Sequence, residues 1–294
     1  MKIAINGSRR QSAHLPKLAE LIRLLCRRAD GGVVVKRKFY KYLCEVLPGA
    51  LSDAVSAVEV VPADGAFSAD MVVSIGGDGT FLRTVQWVGH RHIPILGINT
   101  GHLGYLADLT LDEALVPDTL DRLKVEERSL LQVASAALTP DFNPYALNEV
   151  AILKQDTSSM ITVDTRIDGA PLASYLADGL IVATPTGSTG YSLSVGGPIV
   201  QPNAPVTVIS PVAPHSLTLR PLVVDAASSI EATVKSRSES FLLSLDGRST
   251  VLPVDTTLLI TRAPFTAAVL QRPTHHFAST LREKLLWGEN GSSR

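Results

Sequence analysis

The stretch Met71-Val72-Val73-Ser74-Ile75-Gly76-Gly77-Asp78-Gly79-Thr80 decides the fold of the N-terminal part of the chain. Its first half is a short and mostly apolar run, which predicts a buried strand at 71–75. Three glycines around Asp78 then predict a turn, and the residues from Thr80 to Val88 predict a helix. A strand, a turn and a helix in this order are typical of a parallel sheet covered by helices.

The same alternation extends on both sides of this stretch. Short apolar runs predict strands, and apolar residues at helical spacing predict helices. The predicted elements are strands at 3–5, 33–35, 58–61 and 93–98 and helices at 15–28 and 40–51. We therefore expect an α/β domain with a parallel, Rossmann-like sheet at residues 1–125.

The pattern changes after about residue 125. Apolar and polar residues alternate over 161–167, which is the period of a half-buried strand, and Asp168-Gly169 predicts a hairpin turn. Further short apolar runs at 206–209, 241–245 and 257–260 are separated by proline and glycine. We expect a β-rich, sandwich-like domain at residues 126–270, followed by a helix at 277–287.

Composition narrows the classes of protein to which the chain can belong. Its 294 residues predict two domains, since roughly 100–200 residues per domain is usual. A net charge of −1 argues against a protein that binds nucleic acid non-specifically. The sequence has no apolar run of about 20 residues and no signal-peptide pattern, so we expect no membrane segment. Two cysteines, Cys26 and Cys44, are too few for a disulfide framework, and we expect a cytoplasmic protein.

Asp78 is the residue of the glycine turn that suggests chemistry. Gly76, Gly77 and Gly79 let a ligand approach the backbone, and the amides at the start of a helix attract phosphate. A carboxylate beside phosphates is unfavourable unless it binds a metal or accepts a proton. Asp78 is therefore a candidate general base for a hydroxyl group that attacks phosphorus. A tight turn in which Asp78 bonds its own backbone explains the pattern equally well.

Three further polar segments are candidates for ligand binding. The loop Asn99-Thr100-Gly101-His102-Leu103-Gly104-Tyr105 follows the next predicted strand, and ligands of open α/β sheets bind at such loops. Asn148-Glu149 can hold a ribose diol, since an amide donates and a carboxylate only accepts. Residues 178–198 form the longest run of small polar residues, which suits sugars and phosphates. Structural roles are also open: His102 as a structural histidine, Tyr105 in the core, and Asn148-Glu149 as a turn or strand start.

Taken together, these segments resemble NAD kinases. Gly76–Thr80, Asn99–Gly104, Asn148-Glu149 and Asp178–Pro198 occur in the order found in that family, and 214–223, 244–248 and 277–288 also look like family segments. The resemblance covers essentially the whole chain, although the Gly-Gly-Asp-Gly-Thr motif alone also occurs in lipid kinases and phosphofructokinases. It implies an α/β domain, a β-rich domain that binds NAD, and a C-terminal segment, 271–294, that packs on the first domain.

The resemblance also implies an activity and the residues that perform it. The family transfers a phosphoryl group from ATP to the 2′-hydroxyl of the adenosine ribose of NAD, uses Mg²⁺ or another divalent cation, and assembles as dimers or tetramers. By similarity, Asp78 is the proton acceptor, and Gly76, Gly77 and Thr80 form the phosphate loop. The residues expected to contact NAD are Gly79, Arg83, Asn148, Glu149, Asp178, Thr186, Thr189, Gly190, Tyr191, Ser192, Leu193, Ser194, Ala213 and Arg248. No direct metal ligand is implied.

One departure from the family and two alternative functions follow from the same residues. Gly190 stands where the family usually has Ala, which removes no chemical group but can loosen the loop and enlarge the base pocket. A lipid kinase shares the glycine turn but does not require Asn148-Glu149 or the loop at 184–194. A dinucleotide-binding module without catalysis predicts that Asp78 is dispensable.

Overall fold

The computed structural model of the chain describes residues 1–9, 11–48, 58–62, 65–101, 104–155 and 159–288. The chain divides into two compact units. The first consists of Met1–Glu127 with Ala267–Arg294, and the second consists of Arg128–Thr266. Within the described ranges, no helix is both long enough and apolar enough to cross a membrane.

The first unit alternates strands and helices along the chain. Its elements are β1 (Ile3–Gly7), α1 (Leu15–Arg28), β2 (Val33–Lys36), α2 (Arg37–Val46), β3 (Val58–Val61), β4 (Met71–Ile75), α3 (Asp78–Val88), β5 (Ile95–Asn99), β6 (Leu109–Thr110) and α4 (Leu111–Leu115). The strands lie in the order β5-β4-β1-β2-β3, and each adjacent pair is parallel. The prediction of a parallel α/β sheet is therefore confirmed.

Burial explains why these residues form this sheet. Every residue of β4 and β5 is buried, as expected for strands covered by helices on both faces. Helix α1 turns Leu18, Leu21, Ile22 and Leu25 into the core, all with no exposed surface. Parallel strands end at the same edge of a sheet, so the turn after β4 and the loop after β5 leave the sheet as neighbours.

Several predicted boundaries differ from the structure, and three of them are starts of elements in the first unit. Helix α2 starts at Arg37 rather than residue 40, and 49–51 of the predicted helix lie outside the described residues. Helix α3 starts at Asp78, because extended Gly77 caps it and an acidic first turn suits the helix dipole. Strand β5 starts at Ile95 rather than residue 93, because Pro94 has no N–H to donate to a sheet.

The second unit consists mainly of strands. Its elements, with the two strands that join it to the first unit, are β7 (Lys124–Ala134), β8 (Tyr145–Ala146), β9 (Glu149–Lys154), β10 (Ile161–Ile167), β11 (Ala170–Ala177), β12 (Gly179–Ala183), α5 (Tyr191–Ser194), β13 (Val206–Val212), β14 (Leu222–Asp225), β15 (Ile230–Lys235), β16 (Ser240–Leu245), β17 (Arg248–Pro253) and β18 (Thr257–Gln271). One antiparallel sheet has the order β14-β13-β12-β9-β16-β17, and a second runs β11-β10-β15-β18. Ile161 and Val163 of one sheet share a buried cluster with Leu180 and Val182 of the other. The β-rich, sandwich-like prediction is confirmed.

The C-terminal segment returns to the first unit, as predicted. Strand β18 ends there, where Val269 and Leu270 pair in parallel with β5. Helix α6 (Phe277–Leu285) follows. The Asp108 side chain, only 4% exposed, accepts hydrogen bonds from the Arg272 backbone N–H at 3.0 Å and from His275 Nδ1 at 2.8 Å. These bonds tie the C-terminal segment to the chain that follows β5.

Candidate active site

The glycine turn after β4 brings backbone close to side chains in a way that only glycine permits. Gly76 has φ +147°, and its N–H donates to the Ile98 carbonyl oxygen at 2.8 Å. A Cβ there would lie 2.7 Å from Thr80 Oγ1. Gly77 then caps α3 with extended backbone and without a side-chain cap. The turn therefore leaves the first amides of α3 free of side-chain caps, as a phosphate loop requires.

The Asp78 carboxylate is held from the loop that follows β5. Its Oδ2 accepts the Tyr105 backbone N–H at 2.8 Å, and its Oδ1 accepts the Leu106 N–H at 3.1 Å. A Cβ on Gly104 would overlap this carboxylate, so the close approach depends on glycine. Asp78 is thus oriented by a second loop and does not simply close its own turn.

Arg83 lies beside this turn. Its Nη2 donates to Thr80 Oγ1 at 3.0 Å, and a Cβ on Gly79 would be 3.7 Å from its Nη1. Thr80 is buried, whereas Gly79 and Arg83 are exposed. The guanidinium group is therefore a cation beside the exposed end of the glycine turn.

In the second unit, Asn148 and Glu149 form a half-buried polar pair at the start of β9. Asn148 Oδ1 and Glu149 Oε2 are both buried and have no hydrogen-bond partner among the described residues. Buried polar atoms are almost always bonded, so two such acceptors side by side indicate a site that a ligand completes. Hydroxyl groups are donors that would satisfy both oxygens.

Asp246 holds the backbone of this pair in place, which sequence reasoning missed. Its carboxylate accepts the N–H groups of Leu147 at 2.7 Å, Asn148 at 2.8 Å and Glu149 at 3.2 Å. Asp246 and Gly247 both have positive φ, at +49° and +77°, between β16 and β17. An Asp-Gly pair between two apolar runs signals such a hairpin, but nothing in the sequence says which backbone its carboxylate meets.

Glu149 has an unusual acidity for a carboxyl group. Burial and the nearby Asp246 carboxylate raise its pKa from 4.5 to about 7, although the Tyr191 backbone N–H opposes the shift. Its protonation state therefore changes near neutral pH. In its protonated form it can donate as well as accept a hydrogen bond.

The loop after β12 packs directly onto this pair. A Cβ on Gly187 would overlap the Asn148 carbonyl group, and one on Gly190 would lie 3.1 Å from Glu149 Oε2. Thr184 Oγ1 donates to the Leu147 carbonyl oxygen at 2.6 Å. The two glycines let the loop and the Asn148-Glu149 backbone approach each other, and Gly190 leaves the Glu149 carboxylate uncrowded.

Other predicted residues of this loop divide into exposed and structural ones. Tyr191 is 39% exposed and offers an aromatic face, and Ser194 is exposed. Ser192 is buried with its hydroxyl 3.1 Å from Ser210 Oγ. Thr189 Oγ1 donates to the Thr186 carbonyl oxygen at 3.3 Å. The remaining members are buried Thr186 and half-buried Leu193.

The structure does not bring every predicted NAD contact to this pair. In β12, Ala183 pairs with Glu149, whereas Gly179 pairs with Val212 at the other end of the strand. Asp178 and Ala213 therefore lie at that other end, about 13 Å along the strand. The Asp178 carboxylate is 2.7 Å from Lys154 Nζ, and Ala213 has φ +44°.

Arg248 and His102 complete the set of predicted residues. Arg248 Nη1 and Nη2 donate to the carbonyl oxygens of Asn143 and Tyr145 at 2.7 and 2.6 Å. Burial lowers the pKa of Arg248, and Asp246 opposes this. Its hydrogen bonds therefore tie β17 to the chain at 143–145, just before the Asn148-Glu149 pair. His102 and Leu103 lie outside the described residues.

The family models that match the chain follow the division into two units. A model described as the ATP-NAD kinase N-terminal domain matches residues 19–126, and one described as the ATP-NAD kinase C-terminal domain matches residues 147–271. Together with the glycine turn, these matches define the class as a two-domain kinase of nucleotides.

Relatives and solved structures narrow this class. The chain is 46% identical over 293 residues to an NAD kinase of Bacteroides fragilis (strain ATCC 25285), covering 98% of both chains. It is 46% identical over 292 residues to an NAD kinase of Porphyromonas gingivalis (strain ATCC 33277), again covering 98% of both. The chain belongs to the NAD kinase family.

Two solved structures share the fold. Yeast NADH kinase complexed with NADH has a TM-score of 0.85 at 24% identity, covering 100% of this chain and 90% of that one. An NAD kinase from Archaeoglobus fulgidus in complex with ATP has a TM-score of 0.68 at 28% identity, covering 93% of this chain and 94% of that one.

Proposed function

We propose that this chain phosphorylates the 2′-hydroxyl of the adenosine ribose of NAD with ATP, giving NADP and ADP. The observation that carries the proposal is Asp78, a carboxylate oriented through both of its oxygens beside a glycine turn. Family membership supplies the two substrates, since curated relatives that are 46% identical are NAD kinases.

Asp78 acts as the general base. The 2′-hydroxyl oxygen attacks the γ-phosphorus of ATP, Asp78 accepts the hydroxyl proton, and the bond to the departing ADP breaks. Each oxygen of Asp78 accepts one backbone N–H, which leaves a lone pair for the substrate proton. The glycine turn, Thr80 and Arg83 bind phosphate oxygens beside it.

The second unit holds NAD through the Asn148-Glu149 pair. Ribose hydroxyl groups donate to Asn148 Oδ1 and Glu149 Oε2, the two buried acceptors that lack partners among the described residues. Tyr191 and the loop around Gly190 contact the base. A lipid head group does not require this pair, so the pair favours a dinucleotide over the lipid-kinase alternative.

Mg²⁺ or another divalent cation accompanies ATP in this proposal. Across the described residues, no group of three or more His, Cys, Asp or Glu side chains is arranged to hold a metal. Mg²⁺ usually takes only one or two protein carboxylates, so such a group is not needed for an ion that binds with ATP. Asp78 is the carboxylate available at the glycine turn. The bound ion offsets the charge of the transferring phosphoryl group.

The proposal is tested by measuring NADP formation from NAD, ATP and Mg²⁺ in wild type and Asp78→Ala. We expect wild-type turnover, loss of turnover when EDTA removes the divalent ion, and a fall in kcat of about 10²–10⁴ in Asp78→Ala. NAD binding by calorimetry is expected to survive, since binding needs no base. Inorganic polyphosphate is run beside ATP to identify the donor.

A matched control is Asp121→Ala, which removes an exposed carboxylate paired with Arg28 at 2.6 Å, away from the glycine turn. Its kcat is expected to equal that of wild type. Near-normal NADP formation by Asp78→Ala contradicts the assigned base. A wild-type protein that binds NAD without making NADP supports the non-catalytic binding module instead.

Two further properties belong to this proposal. We propose a cytoplasmic enzyme, supported by Cys26 and Cys44, which are both free thiols.

We also propose self-association into dimers or tetramers, supported by the exposed apolar side chains of the edge strand β11.

A further inference from the structure

A single peptide group links Asp78 to the C-terminal helix. The N–H of Tyr105 donates to Asp78 Oδ2 at 2.8 Å. The carbonyl oxygen of the same peptide group, that of Gly104, accepts a hydrogen bond from Lys284 Nζ on α6. Because a peptide group is planar and rigid, a bond at its oxygen also fixes the direction of its N–H.

Lys284 is placed for this contact and not for an ion pair. Its ammonium group lies 5.4 Å from the centre of the Tyr105 ring, and among the described residues no carboxylate pairs with it. Burial lowers the pKa of Lys284, whereas the negative charges of Asp78 and Asp108 raise it. Burying an ammonium group costs free energy unless other groups compensate its charge. A backbone carbonyl oxygen compensates only part of it.

Two anchors keep α6 beside this peptide group. Asp108, three residues after Tyr105, binds Arg272 and His275 just before α6. Lys284, near the end of α6, binds Gly104. The segment 104–108 and the C-terminal segment are therefore joined at both ends, which limits how far the Tyr105 N–H can turn.

We propose that Lys284 is a positioning residue that holds the Asp78 carboxylate through the Gly104–Tyr105 peptide group. The proposal rests on Asp78 being the general base of the proposed function. Lys284 bonds the carbonyl oxygen and polarises the peptide group, so the N–H at its other end binds Asp78 more firmly. Without the ammonium group, the Gly104–Tyr105 peptide group loses its anchor at the carbonyl oxygen, and Asp78 keeps only the Leu106 N–H as a firmly held donor.

The variants Lys284→Met, Lys284→Arg and Arg282→Met test the proposal in steady-state assays. Lys284→Met is expected to lower kcat by about 10–10², the cost of misplacing a reacting group by about 1 Å, with KM for NAD and for ATP unchanged. Lys284→Arg keeps a cationic donor and is expected to recover most of the loss. Arg282→Met is the matched control on the same helix, because Arg282 is exposed.

A double-mutant cycle with Asp78→Ala separates positioning from a general structural role. If Lys284 acts through Asp78, adding Lys284→Met to Asp78→Ala causes no further loss of single-turnover rate. The proposal is overturned if Lys284→Met lowers the rate by the same factor in wild type and in Asp78→Ala. It is also overturned if Lys284→Met has the kcat of wild type. Should Lys284→Met not fold, Lys284→Gln, a neutral donor, takes its place and must show the same dependence on Asp78. An inactive wild type contradicts the proposed function itself.

Discussion

At the residue scale, burial of the Glu149 side chain has two opposing effects. It suits the binding of a ribose, but it destabilises the ionised form of the carboxyl group. Its pKa rises from 4.5 to about 7 in the folded chain. Between these values the folded state binds more protons than the unfolded state, so the free energy of unfolding falls as pH rises. Glu149 thus contributes most stability below pH 4.5, and this contribution is lost as pH rises towards 7.

We predict that Glu149→Gln removes this dependence, because an amide is neutral at every pH. The free energy of unfolding of the variant minus that of wild type is therefore expected to rise by about 3 kcal/mol from pH 4.5 to pH 7. Urea unfolding without NAD at pH 5 and pH 8 measures the difference. Glu45→Gln, the same substitution at an exposed residue, is the control. Parallel pH dependence of Glu149→Gln and wild type contradicts the prediction.

The sequence predicts a residue's conformation where neighbouring residues determine it. It does not predict contacts between residues that are far apart in the sequence. The turn around Gly76 was predictable because three glycines between a strand and a helix have few other uses. The contacts of Asp78 and Asp246 were not, since their partners lie 27–28 and 97–99 residues away in the sequence. The assignment of Asp178, Ala213 and the other NAD contacts stays a prediction.

At the element scale, the C-terminal helix α6 is held in place by polar contacts more than by burial of apolar side chains. It buries only Thr280 among its nine residues, so little apolar surface holds it. Asp108 supplies the attachment. Burial alone would raise the pKa of Asp108, but hydrogen bonds from His275 and Arg272 outweigh it and keep this pKa well below its usual range. The attachment is therefore present above the usual carboxyl pKa and is lost as pH falls below it.

We predict that Asp108→Ala lowers the free energy of unfolding by about 3 kcal/mol, because it removes the buried carboxylate that bonds Arg272 and His275 and leaves Arg272 only its pair with Glu113. Urea unfolding at pH 7 measures this, and limited proteolysis reports earlier cleavage after Arg272. Asp112→Ala is the control. It removes an exposed ion pair with Lys17, and such pairs contribute about 0–1 kcal/mol. Equal losses in the two variants contradict the prediction.

The sequence predicts strands and helices of the first unit well, because buried strands and helices differ in period. It does not predict what each element contacts. Lys36, at the end of β2, illustrates the limit: its basic neighbours suggest a solvated surface, yet it is half-buried 5.2 Å from the Trp87 ring. Burial and the charges of Arg83 and Lys38 lower its pKa to about 8.

At the scale of the whole molecule, the edge strand β11 leaves apolar side chains uncovered. Leu172 and Leu176 are 38% and 42% exposed, and Met160 nearby is 39% exposed. Exposed edge strands with apolar side chains favour pairing with another chain. This supports association through β11.

We predict a solution mass of two or four times 31.3 kDa by size-exclusion chromatography with light scattering. Leu176→Asp is expected to lower that mass, because a charge on the edge strand opposes apolar packing. Val116→Asp, at an exposed valine of the first unit, is the control and keeps the wild-type mass. A wild-type mass of 31.3 kDa contradicts self-association.

The first unit is built from two separate lengths of chain, with residues 128–266 between them. A ribosome makes the chain from its N-terminus, so the C-terminal partners of β5 and Asp108 are synthesised after the whole second unit. The second unit is continuous and is complete before they appear, and domains generally fold as units during synthesis. Lys284 follows the whole second unit in the sequence. The growing chain therefore cannot form the Lys284–Gly104 hydrogen bond beside Asp78 until the second unit and α6 have been synthesised.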